Sequence, residues 1–187
     1  MESISDAALM LKVKAGDIDR LGLLFERYYR ALYSFFYRLT NKSEVSEDLV
    51  QNVFLRILKY RHTYTGVGEF KTWIYHLARN VHADHYQKNK RLGFSDNFTE
   101  LENSLREDYN IEDQTRKEEE MHLLQAALNK LDLEKKEILI LSRFQGLKYR
   151  DIAELYGCTE GAVKVRAFRA LEELKSIYLK LERQEIV

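Results

Sequence analysis

Proline is absent from all 187 residues of this chain, and only eight glycines punctuate it. A sheet protein of this size needs many tight turns, and glycine and proline are the residues that make them. Apolar residues instead recur at three- and four-residue spacing over long stretches, the periodicity of helices with one buried face. The fold class expected is all-α, two small helical domains joined by a flexible acidic linker, the C-terminal one carrying a helix-turn-helix. An apolar content of 45% is enough for a core in each.

The division into domains comes from the charges. The formal total is zero, but the signs are segregated. From Lys59 to Leu92 the cations Lys59, Arg61, Lys71, Arg79, Lys88, Lys90 and Arg91 stand against Glu69 and Asp84 alone. From Gly93 to Glu120 acids dominate and helical periodicity is poor. Such a segment cannot bury enough apolar surface to offset its ordering entropy. The expected plan is a domain over 1–92, a linker over 93–117 and a domain over 118–187, with Glu118 to Glu120 opening the next helix. The single cysteine, Cys158, excludes an internal disulfide and is expected as a small buried side chain in a reducing interior. The N-terminus has no unbroken apolar run, so neither a signal peptide nor a membrane span is expected, and the cytoplasm is the expected location.

In the C-terminal domain, "YRDIAELY" (Tyr149 to Tyr156) reads as a short helix with Ile152, Ala153 and Leu155 inward. Gly157 ends it, and Thr159 can cap the next helix with its hydroxyl. Along that helix Val163, Ala167, Ala170, Leu171 and Leu174 share one arc and face the core, given about 100° per residue. Lys164, Val165, Phe168 and Arg169 lie opposite, with Arg166 at the edge. Cations around apolar side chains that the helix has not used suit the DNA major groove, where phosphates, guanine edges and thymine methyls lie together. A plain helical hairpin with a solvated basic face is the simpler alternative.

The N-terminal domain is expected to open with helices over 6–15 and roughly 19–39, with Asp17 or Asp19 capping the second. Leu21, Leu24, Phe25, Tyr28, Leu32, Phe35, Phe36 and Leu39 form its core stripe. In "SEVSEDLVQNVFLRILKY", Val45, Leu49, Val53 and Ile57 point inward, while Leu55 and Leu58 point outward among Asp48, Gln51 and Asn52. An apolar pair ringed by short polar groups is the anatomy of a small protein interface. Packing within the domain is the competing account.

The helix "FKTWIYHLARNVHADHYQKNKR" is expected to bury Phe70, Trp73, Ile74, Leu77, Ala78 and Val81. Its other side carries Tyr75, Arg79, His82 and Tyr86, extended by Lys88, Lys90 and Arg91. Rings interleaved with cations are what single-stranded nucleic acid requires. His82 and His85 share a face, but His76 lies off it, so no metal site is expected. No nucleophile and base pair, phosphate-cradling loop or carboxylate dyad stands out, so neither an enzyme nor a cofactor is expected.

Three segments, in order, resemble the extracytoplasmic-function sigma factors of bacterial RNA polymerase. "SEDLVQNVFLRIL" is similar to their core-polymerase-binding helix, and "FKTWIYHLARNVHADHYQKNKR" to the helix that melts the promoter and reads its minus-ten element. The segment from Leu128 to Lys175 is similar to their minus-thirty-five-binding domain. Where the family usually has a proline, "KLDLEKK" has none, and Asp132 is expected to cap the helix instead.

The resemblance implies a non-catalytic initiation factor whose partners are core RNA polymerase, promoter DNA and, as for most members, an anti-sigma factor. It places Asp48, Gln51, Phe54 and Leu55 on the polymerase clamp. It makes the loop from Arg61 to Glu69, with Tyr64, a pocket for a flipped minus-ten base beside Asn80. With these go Tyr75, Arg79, His82, Tyr86, Lys88 and Arg91 as minus-ten contacts. Lys148, Thr159, Lys164, Val165, Arg166, Phe168 and Arg169 become the minus-thirty-five contacts, and the acidic linker is implied to thread through the polymerase. The runner-up is a helix-turn-helix regulator binding duplex DNA alone.

Overall fold

This computed structural model describes the backbone of residues 4–92 and 111–185, with side chains over 4–92 and 118–183. Among them are eight α-helices and no strand. The chain divides into two compact units, residues 1–100 and 101–187. The expected linker lies, as far as residue 110, outside the described residues.

The first unit contains α1 (Asp6–Lys14), α2 (Arg20–Thr40), α3 (Ser43–Tyr60), a 3-10 turn (Arg61–Thr63) and α4 (Phe70–Arg91). Ser5 caps α1 by accepting from the Ala8 amide at 3.3 Å. The expected cap of α2 takes another form. Asp19 occupies the cap position in helical conformation without a side-chain bond, and the Asp17 carboxylate accepts from Arg20 Nε at 3.1 Å instead. Asn41 closes α2 in the left-handed conformation (φ 56°), its N–H donating to the Tyr37 carbonyl at 2.7 Å.

The unit's core joins Leu9, Met10 and Val13 of α1 to Leu24, Leu32, Phe35 and Phe36 of α2, Val50, Val53 and Ile57 of α3, and Ile74, Tyr75 and Ala78 of α4. All are fully buried. Burying each large side chain contributes about 1.5–3 kcal/mol. Within the expected α2 stripe, Phe25 is exposed and Tyr28 half-buried.

The second unit contains α5 (Ile111–Asn129), α6 (Leu133–Leu139) running into one wide π turn (Ile140–Phe144), α7 (Tyr149–Tyr156) and α8 (Glu160–Glu185). α5 begins ahead of the expected Glu118. Ala127, Leu128 and Leu131 meet Leu139 of α6 and Ala170 and Leu174 of α8 in one cluster. Asp132 sits at the cap position of α6, but its carboxylate makes no cap bond and accepts from Lys135 Nζ at 3.1 Å.

α7 and α8 form the expected helix-turn-helix. Gly157 closes α7 in the left-handed conformation (φ 60°), and the Cys158 N–H donates to the Ala153 carbonyl at 3.0 Å. Thr159 Oγ1 then accepts from the Ala162 amide at 3.2 Å, capping α8. Cys158 is half-buried rather than buried, because it lies in the turn and not beneath a helix. A side chain at Gly157 would meet open space, so only the backbone resists one. Gly157→Ala is expected to cost about 1–2 kcal/mol, the left-handed penalty of an L-residue, read as a lower Tm with unchanged helicity.

Candidate functional site

Three faces carry the expected site residues. The first is the outer side of α3. Leu55 is 61% exposed beside the exposed Asp48, Gln51 and Asn52, and Asn52 Nδ2 donates to the Asp48 carbonyl at 2.9 Å. Leu58, expected outward, is half-buried. Phe54, expected at this surface, is buried and meets the Phe25 ring edge-on with centroids 4.9 Å apart. The exposed aromatic here is Phe25. At this position the helical angle does not separate it from the buried Phe36; only the absence of a covering neighbour does.

The second face is α4 with the loop before it. The core-facing arc of α4 is turned by roughly a sixth of a revolution from the expected one. Trp73 and Leu77 move to its half-buried edge, and Tyr75 and His82 move under it. The expected open stripe of Tyr75, Arg79, His82 and Tyr86 is thereby corrected. Tyr75 has no exposed surface and packs edge-on against Phe35 at 5.4 Å, and burial pushes its phenol well above the usual tyrosine range. His82 is buried, Arg79 half-buried and Tyr86 exposed.

The outward surface of α4 carries His76, Asn80, Ala83, Asp84, Tyr86, Gln87, Lys88, Lys90 and Arg91, with Asp84 paired to Arg56 of α3. Asn80 lies 3.3 Å from His76 Nδ1 through its amide nitrogen, a contact that the i, i+4 spacing permits. Tyr64 is a core residue too. Its ring meets Trp73 at 4.9 Å and Phe70 at 6.0 Å, both edge-on, and burial raises its phenol pKa. Past Tyr64 the chain turns outward. Gly66 and Gly68 take positive φ, 76° and 80°, and Val67 between them is 85% exposed.

The third face is the outside of α8. Val163, Ala167, Ala170 and Leu174 are buried as expected, and Leu171 is exposed. Phe168 is 65% and Val165 49% exposed, an unusual cost in water unless something covers them. Lys164 Nζ pairs with Glu160 at 2.8 Å and Arg166 with Glu134 at 2.7 Å. The hydrogen bond to Glu160 raises the Lys164 pKa, and exposed pairs of this kind contribute little, so both cations can turn to a phosphate. Arg169 is exposed with no ion-pair partner among the described residues. Lys148 precedes α7 in the open, and Thr159 is engaged as the cap.

Among the described residues no cluster of histidine, cysteine and carboxylate groups could hold a metal ion, and no helix is long and apolar enough to cross a membrane.

Family models match twice: sigma-70 region 2 over residues 24–92 and sigma-70 region 4 over residues 121–174, together more than half of the chain. The chain is 30% identical over 175 residues to the ECF RNA polymerase sigma factor BldN of Streptomyces coelicolor, covering 91% of this chain and 66% of that one. To the ECF RNA polymerase sigma factor SigX of Bacillus subtilis it is 28% identical, covering 88% and 86%. Among solved structures, the sigma factor RpoE of Bartonella quintana, crystallised with the anti-sigma factor NepR, superposes with a TM-score of 0.67 at 25% identity over 83% of this chain and 94% of that one.

Proposed function

The chain belongs to the sigma-70 family as an extracytoplasmic-function sigma factor, which directs RNA polymerase to promoters, and from that premise we propose how its faces divide the work. The observation that carries the proposal is the exposed set Lys164, Val165, Phe168 and Arg169 on the second helix of a helix-turn-helix. Two cations flank two apolar side chains there, fitting the mixed chemistry of a major groove. The C-terminal unit reads the upstream, minus-thirty-five element with this face, helped by Arg166 and Lys148, while Thr159 sets the entry angle of α8.

The N-terminal unit takes the other two tasks. Asp48, Gln51 and Leu55 grip core polymerase, with Phe54 acting from below by holding Phe25 in place. The outward face of α4 and the loop 61–69 take the minus-ten strand. Asn80 and Tyr86 meet bases, and Arg79, Lys88 and Arg91 meet phosphates. Tyr64, Tyr75 and His82 hold the scaffold from inside rather than touching DNA. Extruding a base costs a few kcal/mol of stacking, which a preformed pocket offsets.

Sigma factors are initiation factors rather than enzymes, and an anti-sigma factor, as NepR is for RpoE, is a further partner to be sought. A solitary helix-turn-helix regulator would leave the region 2 match over 24–92 without a task. The test is transcription from a promoter library with purified core polymerase. Adding the protein should create new, sequence-defined start sites. Binding to duplex DNA with no directed initiation would refute the reading.

A further inference from the structure

Lys14 and Tyr64 are fifty residues apart in sequence and joined in space. Lys14, the last residue of α1, donates from Nζ to the Tyr64 carbonyl at 2.6 Å. One turn earlier, Leu11 lies against the loop backbone: a methyl group at Gly66 would stand 3.5 Å from Leu11 Cδ2. α1 is itself held firmly. Leu9, Met10 and Val13 are fully buried, and at its start Asp6 accepts from Tyr28 Oη at 2.7 Å and from Arg27. The Tyr28 ring meets Phe70, the first residue of α4, edge-on at 5.3 Å.

The loop these contacts reach has weak conformational preferences of its own. Glycine populates both halves of the backbone map, and here two left-handed glycines flank the exposed Val67. At the tip, Thr65 Oγ1 accepts from the Val67 amide at a long 3.3 Å. The Tyr64 ring is anchored among Phe70 and Trp73, but its carbonyl marks where the chain leaves the core, and there the ammonium sits.

We propose that α1 braces this loop, with Lys14 and Leu11 as positioning residues for recognition of unpaired promoter DNA. The inference rests on the reading that the loop receives an extruded base. A pocket formed only part of the time binds more weakly in proportion to that fraction. A donor fixed to the rigid α1 raises the fraction without touching DNA. Lys14 and Leu11 are both exposed on α1, so substituting them leaves its buried face intact.

The test uses the full chain in reconstituted holoenzyme, on a library randomised across the downstream element. The readout is the ratio of initiation on preferred over non-preferred sequences, which a loss of folded protein would not move. Lys14→Met keeps the aliphatic stem and removes the donor, and is expected to lower that ratio about tenfold, the scale of one hydrogen bond to a charged group. Lys14→Arg should restore most of it. Val67→Asp, at the loop tip, serves as control for the loop. If Lys14→Met keeps the parental ratio while Val67→Asp loses it, the brace is refuted and the loop reading stands. If Val67→Asp also keeps the ratio, the loop reading fails and the brace with it.

Discussion

Replacing Asp48 by Arg together with Leu55 by Ala is expected to abolish co-purification with core RNA polymerase while leaving the protein as helical as the parent. Neither side chain supports the fold: both are exposed on α3, and the residues beneath them, Val50, Val53 and Ile57, are untouched. Burial of Leu55 in a complex is worth about 1.5–3 kcal/mol. Reversing a charge in an interface adds several kcal/mol of mismatch. Together they exceed a loss of about a thousandfold. Competition against the parental protein for labelled core polymerase measures it, with circular dichroism as the check on folding. Parental affinity in the double variant would remove α3 from the interface.

Much of this arrangement could be read from residue spacing, and each exception has its own physical cause. The α7, Gly157, Thr159 and α8 series was legible because each step is local. A left-handed glycine, a hydroxyl cap and a 3.6-residue stripe depend on neighbours within one turn. Leu55 was legible because one helix cannot bury opposite faces against a single partner. The α4 stripe was misread because a helix with apolar and amphipathic residues all round has several plausible inward arcs. Packing against α3, with the ring contact of Phe35 on Tyr75, selects among them. Tyrosine and histidine are ambiguous in this respect, since each has an apolar body that can be buried.

The aspartate caps failed for a different reason. Asp17 and Asp132 each have a cation three residues on, Arg20 and Lys135, and the carboxylates pair with these rather than with the backbone amides. Such competition depends on rotamers that spacing alone does not fix. The link from Lys14 to the Tyr64 carbonyl had no sequence signal at all, because a backbone acceptor is present at every residue.

On this reading one chain contacts two promoter elements with two separate faces. The most direct measurement is initiation by reconstituted holoenzyme on a library randomised across both elements, at two salt concentrations. The parental protein should select two distinct blocks of sequence. Arg169→Ala should flatten one or two positions of the upstream block, by about 1–3 kcal/mol for a lost bidentate contact to a base, and leave the downstream block alone. Arginine's planar fork suits that role better than a lysine point charge. Lys164→Ala should lower initiation on all sequences with little change in preference, and reduce the salt slope by about one unit. Asn80→Ala should flatten the downstream block only. A single selected block, or an Arg169→Ala variant with the parental upstream preference at both salts, would contradict the account.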